Sequence, residues 1–181
     1  ITVKETAKRL GIDVARAYEA AEAGQIPTIV IGKRRVVPVA ALERMLAEVK
    51  SLVTIGEADV RLLTLVDVTI VQGEPSAIEV RLPAGYELVG VTGSSLERSD
   101  PQADRVVLSV TPATRRRHQF LLNLERSSAG RSFRLDSGFP TVPAAQRETG
   151  EVAVEGIGTL EITSQDVPGL RRMDVREVDA A

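Results

Sequence analysis

The chain has 181 residues, of which 43% are hydrophobic and 27% charged, with a formal net charge of −2. That length holds one large domain or two small ones, and the apolar share supports a packed core and excludes gross disorder. The absence of cysteine excludes disulfide staples and cysteine-based metal sites, and it fits a reducing, cytoplasmic setting.

Aromatics make up only 3% of the residues, so the core is expected to be aliphatic. The longest aliphatic run, "VRLLTLVDVTIV" at 60–71, carries Arg61 and Asp67 and is too short to cross a bilayer, so no membrane partner is expected. No signal peptide is visible, but the chain opens at Ile1 rather than Met, and this absence excludes little. The charge is unevenly divided: residues 1–50 carry +3 and the remainder −5. A basic head on an acidic body is the pattern of a nucleic-acid module joined to something else.

Along the chain, Thr2-Val3-Lys4-Glu5 has the form of a capping box that opens a first helix. Val3, Ala7 and Leu10 fall on one face, and Gly11 supplies a left-handed stop. Asp13 caps a second helix that runs to Ala23, with Gly24 closing it and Pro27 forbidding continuation. Tyr18 is expected in its core. Residues 28–31 and 34–37 read as short strands around Gly32-Lys33, with Ile29, Ile31 and Val37 packed on the helices and Lys33, Arg34 and Arg35 pointing outward. Leu42, Met45, Leu46 and Val49, at i, i+3, i+4 and i+7, predict a third amphipathic helix.

Past residue 54 apolar residues alternate, with frequent turn signals. Residues 60–71 form one long strand or two joined by a bend, followed by "AIEVRL" and "YELVGVT". The stretch 93–104 reads as a polar loop. "RVVLSV", "QFLLNLE", "SFRLD", "EVAVEG", "GTLEIT" and "MDVREV" supply further strands. The expected fold is therefore α+β in two domains, a winged helix-turn-helix at 1–50 and an antiparallel β-sandwich at 54–181. The ending "RRMDVREVDAA" has no strong terminator and fits a piece of something longer.

The segment "TVKETAKRLGI…AYEAAEAGQIPTIVIGKRRVVPVAALERML" resembles the excisionase-like, MerR-related winged helix-turn-helix family. Five features match in order: the first helix and turn, Tyr18 within the second helix, "AGQIP" at its exit, "IGKRR" as wing, and "VPVAALERML" as closing helix. The resemblance implies a binder of double-stranded DNA, either a transcription regulator or a recombination directionality factor. By position it implies that Asp13, Val14, Ala15 and Arg16 open the recognition helix, with Arg16 the best base-edge or phosphate contact. Lys33, Arg34 and Arg35 would form the basic wing, and Thr2 would sit where the first helix nears a phosphate. The chain departs from the family in its second helix, where Arg16 stands against Asp13, Glu19 and Glu22. Fewer neutralised phosphates mean weaker, less salt-sensitive binding, so one copy is expected to need a dimer, a second module or a partner.

Beyond residue 54 no chemistry-bearing constellation emerges, and no enzymatic activity, cofactor or metal is expected. Arg115-Arg116-Arg117 reads as charge blunting a sheet edge, and His118, the only histidine, is a poor general base beside three arginines. Asp100 and Asp104 lack ligand spacing, and Gly156-Ile157-Gly158 continues as strand rather than opening a helix. The β region is left as an oligomerisation or protein-binding unit. The rival reading makes the whole chain an interaction protein whose acidic second helix docks a protein.

Overall fold

The computed structural model describes residues 1–32, 34–38, 42–127, 138–163, 165 and 169–173. The expectations for Lys33, for "SFRLD" and for most of "MDVREV" lie outside them.

The head begins with α1, Val3–Leu10. Its capping box forms as the sequence predicts: the Thr2 hydroxyl accepts from Glu5 N–H at 3.2 Å, and the Glu5 carboxylate accepts from Thr2 N–H at 2.8 Å. Gly11, at φ +65°, ends the helix in the left-handed region. A two-residue link leads to α2, Val14–Glu22, where Asp13 Oδ1 accepts from Ala15 N–H at 2.8 Å. The α2 face turned inward is made of Ala17 and Ala21, whose small side chains let it lie close against Val3 and Ala7 of α1. Strands β1 (Ile29–Ile31) and β2 (Arg34–Val36) form an antiparallel hairpin. The chain start is stitched to the far side of β2: Ile1 and Val37 exchange backbone hydrogen bonds at 3.0 and 2.8 Å, and Thr2 bridges Val36. Val37 and Leu42 complete the small head core.

The predicted third helix is absent. Leu42 sits in a short 3₁₀ turn, and Arg44–Ile55 is a twelve-residue strand, β3. The same residues carry two periodicities, and the alternation of a strand prevails: Met45, Ala47, Val49, Ser51 and Val53 alternate inward, while Leu46, an expected helix-core position, faces out. A helix here would bury one stripe of four residues. The strand pairs along almost its whole length on both edges.

The body has two sheets. The larger has the order β10-β3-β4-β9-β6, with β4 at Asp59–Gln72, β6 at Glu87–Thr92, β9 at Arg117–Ser127 and β10 at Ala145–Gly156. The smaller has the order β5-β8-β7, with β5 at Ala77–Arg81, β7 at Leu96–Pro101 and β8 at Arg105–Val110. Inward residues of both, among them Val66, Phe120, Leu122, Ile78 and Leu108, form one core cluster. The 60–71 run is one unbroken strand within β4.

Three expectations about the body need correction. The pairing is not wholly antiparallel, since β10 runs parallel to β3. The polar loop at 93–104 contains β7, an edge strand whose exposed residues hide the alternation that marks half-buried strands. "GTLEIT" forms no strand, although Ile162 and Leu160 approach Gly156 at the end of β10. Gly150 of β10 lies so close to Val49 that a Cβ there would strike the Val49 carbonyl oxygen, so the parallel contact depends on glycine.

Polar groups buried in the body are paired. The Ser51 and Thr64 hydroxyls meet at 2.9 Å across β3 and β4. His118, stacked on Phe120, is fully buried; its Nε2 lies 3.1 Å from the Arg115 carbonyl and its Nδ1 2.9 Å from Ser95 Oγ. Because a carbonyl can only accept, Nε2 carries the proton and Nδ1 accepts from Ser95. Burial holds the His118 pKa below its ordinary value, with the Arg115 charge acting in the same direction and the Arg115 carbonyl bond opposing. The neighbouring arginines are also engaged. Arg117 grips Asp67 through Nε at 2.9 and 3.0 Å, Arg116 donates to the Gly73 carbonyl at 3.1 Å, and Arg115 donates to Ser94 at 3.2 Å. These residues lead into β9, which has a neighbour on both sides, so they fasten a central strand rather than blunt an edge.

Candidate nucleic-acid interface

A helix-turn-helix presents the first turn of its second helix to base edges while neighbouring elements grip phosphates. Here Val14, Ala15 and Arg16 are all exposed at the start of α2. Arg16 forms no ion pair with Asp13 or Glu19 among the described residues, so its guanidinium faces solvent. Asp13 is exposed too, but its carboxylate is spent on capping. It occupies the place at the α2 N-terminus where the helix dipole would favour an anion, and so competes with a phosphate there.

Thr2 is exposed, yet its hydroxyl donates to Glu5 at 2.9 Å. Hydrogen bonds from the Thr2 backbone and side chain hold the Glu5 carboxyl below its usual pKa, so a negative charge stands beside the threonine. A phosphate approaching Thr2 meets that charge. Its favourable counterparts are Lys4, Lys8 and Arg9 on the exposed face of α1, three cations the sequence reading passed over.

The hairpin divides its arginines. Arg34 is exposed and without an ion pair among the described residues, whereas Arg35 is half-buried, with Nη1 3.9 Å from Glu22 near the end of α2. Arg35 lies opposite Val30, so this face of the hairpin looks toward α2, and Ile31 opposite Arg34 looks away. The hairpin flanks do not pack as expected. Val37 is fully buried, but Ile29, Val30 and Ile31 are exposed, with Ile31 66% so. The core beneath them is already filled by Ile26, Val37 and Leu42.

Tyr18 also departs from expectation. At 46% exposure it lies one turn beyond Val14 on the open face of α2 rather than in the core. The signal was the pair Ala17 and Ala21, one turn apart and starting one residue before Tyr18, which marks a different face as the buried stripe. Exposed on the head are thus Arg16 and Arg34, together with the apolar residues Val14, Tyr18 and Ile29–Ile31.

Similarity to solved structures is slight. An M1 zinc metallopeptidase mutant from Deinococcus radiodurans bound to a Tyr-Ser-Ala substrate matches over 51% of this chain and 22% of its own, at 14% identity and a TM-score of 0.37. The M1 zinc metallopeptidase from the same organism matches over 48% of this chain and 20% of its own, at 13% identity and a TM-score of 0.32. The chain therefore spans about a fifth of these structures, and likeness of that degree transfers no chemistry. No curated protein matches the chain. A family model for a helix-turn-helix domain matches residues 1–50, extending past the hairpin into β3. Residues 1–50 are a helix-turn-helix segment, the class of module that binds DNA.

Proposed function

We propose that the chain is a DNA-binding protein of the cytoplasm, a transcription regulator or recombination directionality factor of the excisionase-like kind. In this reading the head is a winged helix-turn-helix. Val14, Ala15 and Arg16 enter the major groove, while Arg34, with Lys33 beside it in sequence, grips phosphates from the hairpin. Asp13 and Thr2 position α2 and α1 rather than touch DNA, and Arg35 holds the wing to α2. The two sheets of the body form a β-sandwich with a binding role rather than a catalytic one. The observation that carries the reading is the exposure of Arg16 and Arg34, free of ion pairs among the described residues, at the two points where a helix-turn-helix meets a duplex.

One observation favours a second reading: Val14, Tyr18 and β1 expose apolar surface where a phosphate-binding face would carry charge. In that case the head docks a protein. Fluorescence anisotropy on mixed duplex DNA at low and moderate salt separates the two. DNA binding predicts an affinity that falls with salt, and a logarithmic salt slope that shrinks by about 0.9 for each phosphate contact removed in a Lys33→Ala/Arg34→Ala variant that stays folded. No binding at low salt with roughly 10–100 µM protein, where non-specific contacts register, would leave the protein-docking reading standing.

A further inference from the structure

Around α2, Asp13, Glu19 and Glu22 stand against Arg16 alone, and carboxylates oppose a phosphate backbone unless they are otherwise engaged. Two of the three are. Asp13 caps the helix through Ala15 N–H, and Glu22 lies 3.9 Å from Arg35 Nη1 on the hairpin. Glu19 is exposed, and its side chain makes no ion pair or hydrogen bond among the described residues. Helical geometry sets it at the middle of the outward face. Ala17, Ala20 and Ala21 pack into the head core. At about 100° per residue the positions most nearly opposite them are Ala15 and Glu19, with Arg16 beside Glu19 and Tyr18 beside Ala15. Arg16 and Glu19 are three residues apart, about 4.5 Å along the helix axis. Successive base pairs are about 3.4 Å apart, so a helix lying in the major groove brings both side chains to one base pair or to two neighbours.

We infer that Glu19 selects the DNA sequence, by requiring a cytosine amino group beside a guanine held by Arg16. The chemistry of the groove leaves little choice. An ionised carboxylate only accepts hydrogen bonds. Phosphate oxygens, guanine O6 and N7, and thymine O4 are acceptors too, so each of them repels it. The donors in the major groove are the N4 amino group of cytosine and the N6 amino group of adenine. Adenine sets its amino group next to the N7 acceptor, an edge that suits a side-chain amide, whereas cytosine offers the donor alone and suits a carboxylate. Arg16 has donors only and takes the complementary edge, guanine O6 and N7. Glu19 therefore discriminates by what it repels as much as by what it binds: a site without the amino group sets an unpaired charge against acceptors. The inference rests on the DNA-binding reading. It gives a use to the one carboxylate of the three that neither caps the helix nor holds the wing.

The test selects duplexes from a randomised pool with the intact chain at low salt, then measures anisotropy on the selected duplex and on single-pair exchanges of it. The selected duplexes should share a guanine and a cytosine within one or two adjacent pairs. Exchanging that cytosine for thymine, which replaces the amino group by an acceptor, should weaken binding roughly 5- to 150-fold. Glu19→Ala, with unchanged circular dichroism, should lose the cytosine preference and bind mixed-sequence duplex more tightly than the native chain. Glu19→Gln keeps the shape of the side chain and should move the preference from cytosine to adenine, because an amide bonds adenine N6 and N7 together. Salt-dependent binding without a cytosine preference, or a preference that survives both Glu19 variants, overturns the inference and leaves the DNA-binding reading standing. No salt-dependent binding to any duplex, by the native chain or by Glu19→Ala, overturns that reading and the inference with it.

Discussion

Among the described residues, seven buried hydrophobic side chains hold the head together, three of them alanines, whereas twenty form the core of the body. Alanine lets two short helices lie close, but it removes little apolar surface from water, at about 25 cal/mol per Å². The head therefore leans on its largest members, and one of these, Leu42, lies just before β3. The body makes the opposite choice, with Phe120, Leu62, Leu122 and Leu124 fully buried between its sheets. A recognition module can be thinly packed when it grows directly from a solid support. The stability of the head is then set where it joins that support.

Three perturbations break or sharpen this contrast. Phe120→Ala removes the largest fully buried side chain and should destabilise the body by roughly 3–5 kcal/mol. The two tyrosines offer separate reporters, Tyr86 in the body core and Tyr18 on the head, and the Tyr86 transition should move first in denaturant. Coincident, equal shifts of both signals would show a single cooperative unit and erase the contrast. Leu42→Ala should cost the head roughly 2–4 kcal/mol. Helical circular dichroism and DNA binding should then be lost while the sheet signal persists. Survival of both would mean the head does not depend on its root.

The smallest effect is acid sensitivity confined to the body. Folded His118 is buried and neutral with a lowered pKa, while the unfolded chain protonates it near pH 6.5. The unfolded state thus binds the extra proton. The contribution to stability is full above about pH 6.5 and is lost as pH falls below it toward the folded value. No other side chain is a histidine, so the denaturation midpoint between about pH 7.5 and 5.5 isolates this group. A His118→Leu variant should be less stable throughout but nearly flat over that range. An equal acid slope in the variant would show that the proton goes elsewhere.

Both helices of the head were legible because their caps are local chemistry: Thr2 with Glu5, Asp13 with Ala15, and Gly11 as the stop. The hairpin was legible from Gly32 between two β-branched runs. What failed was tertiary. Residues 42–49 satisfy a helical spacing and a strand spacing at once, and the choice is made by β4 and by β10, about a hundred residues away, which no local window contains. β7 was missed because an exposed edge strand shows no alternation. In the candidate site, the types and positions of Arg16 and Arg34 were readable. The pairing of Arg35 with Glu22, the exposure of Tyr18 and the apolar outer side of β1 depend on which neighbours fill the small head core, and spacing does not record that.

The parallel pairing of β10 with β3 also has a consequence in time. Thr54 and Glu155 are hydrogen-bonded neighbours separated by 101 residues. A ribosome adding about 5–20 residues per second needs roughly 5–20 s to cover that distance. For all of that interval β3 has left the tunnel with one edge unpaired, and every nascent chain on a polysome offers the same open strand to the next. That edge is closed only when the chain's own β10 is made.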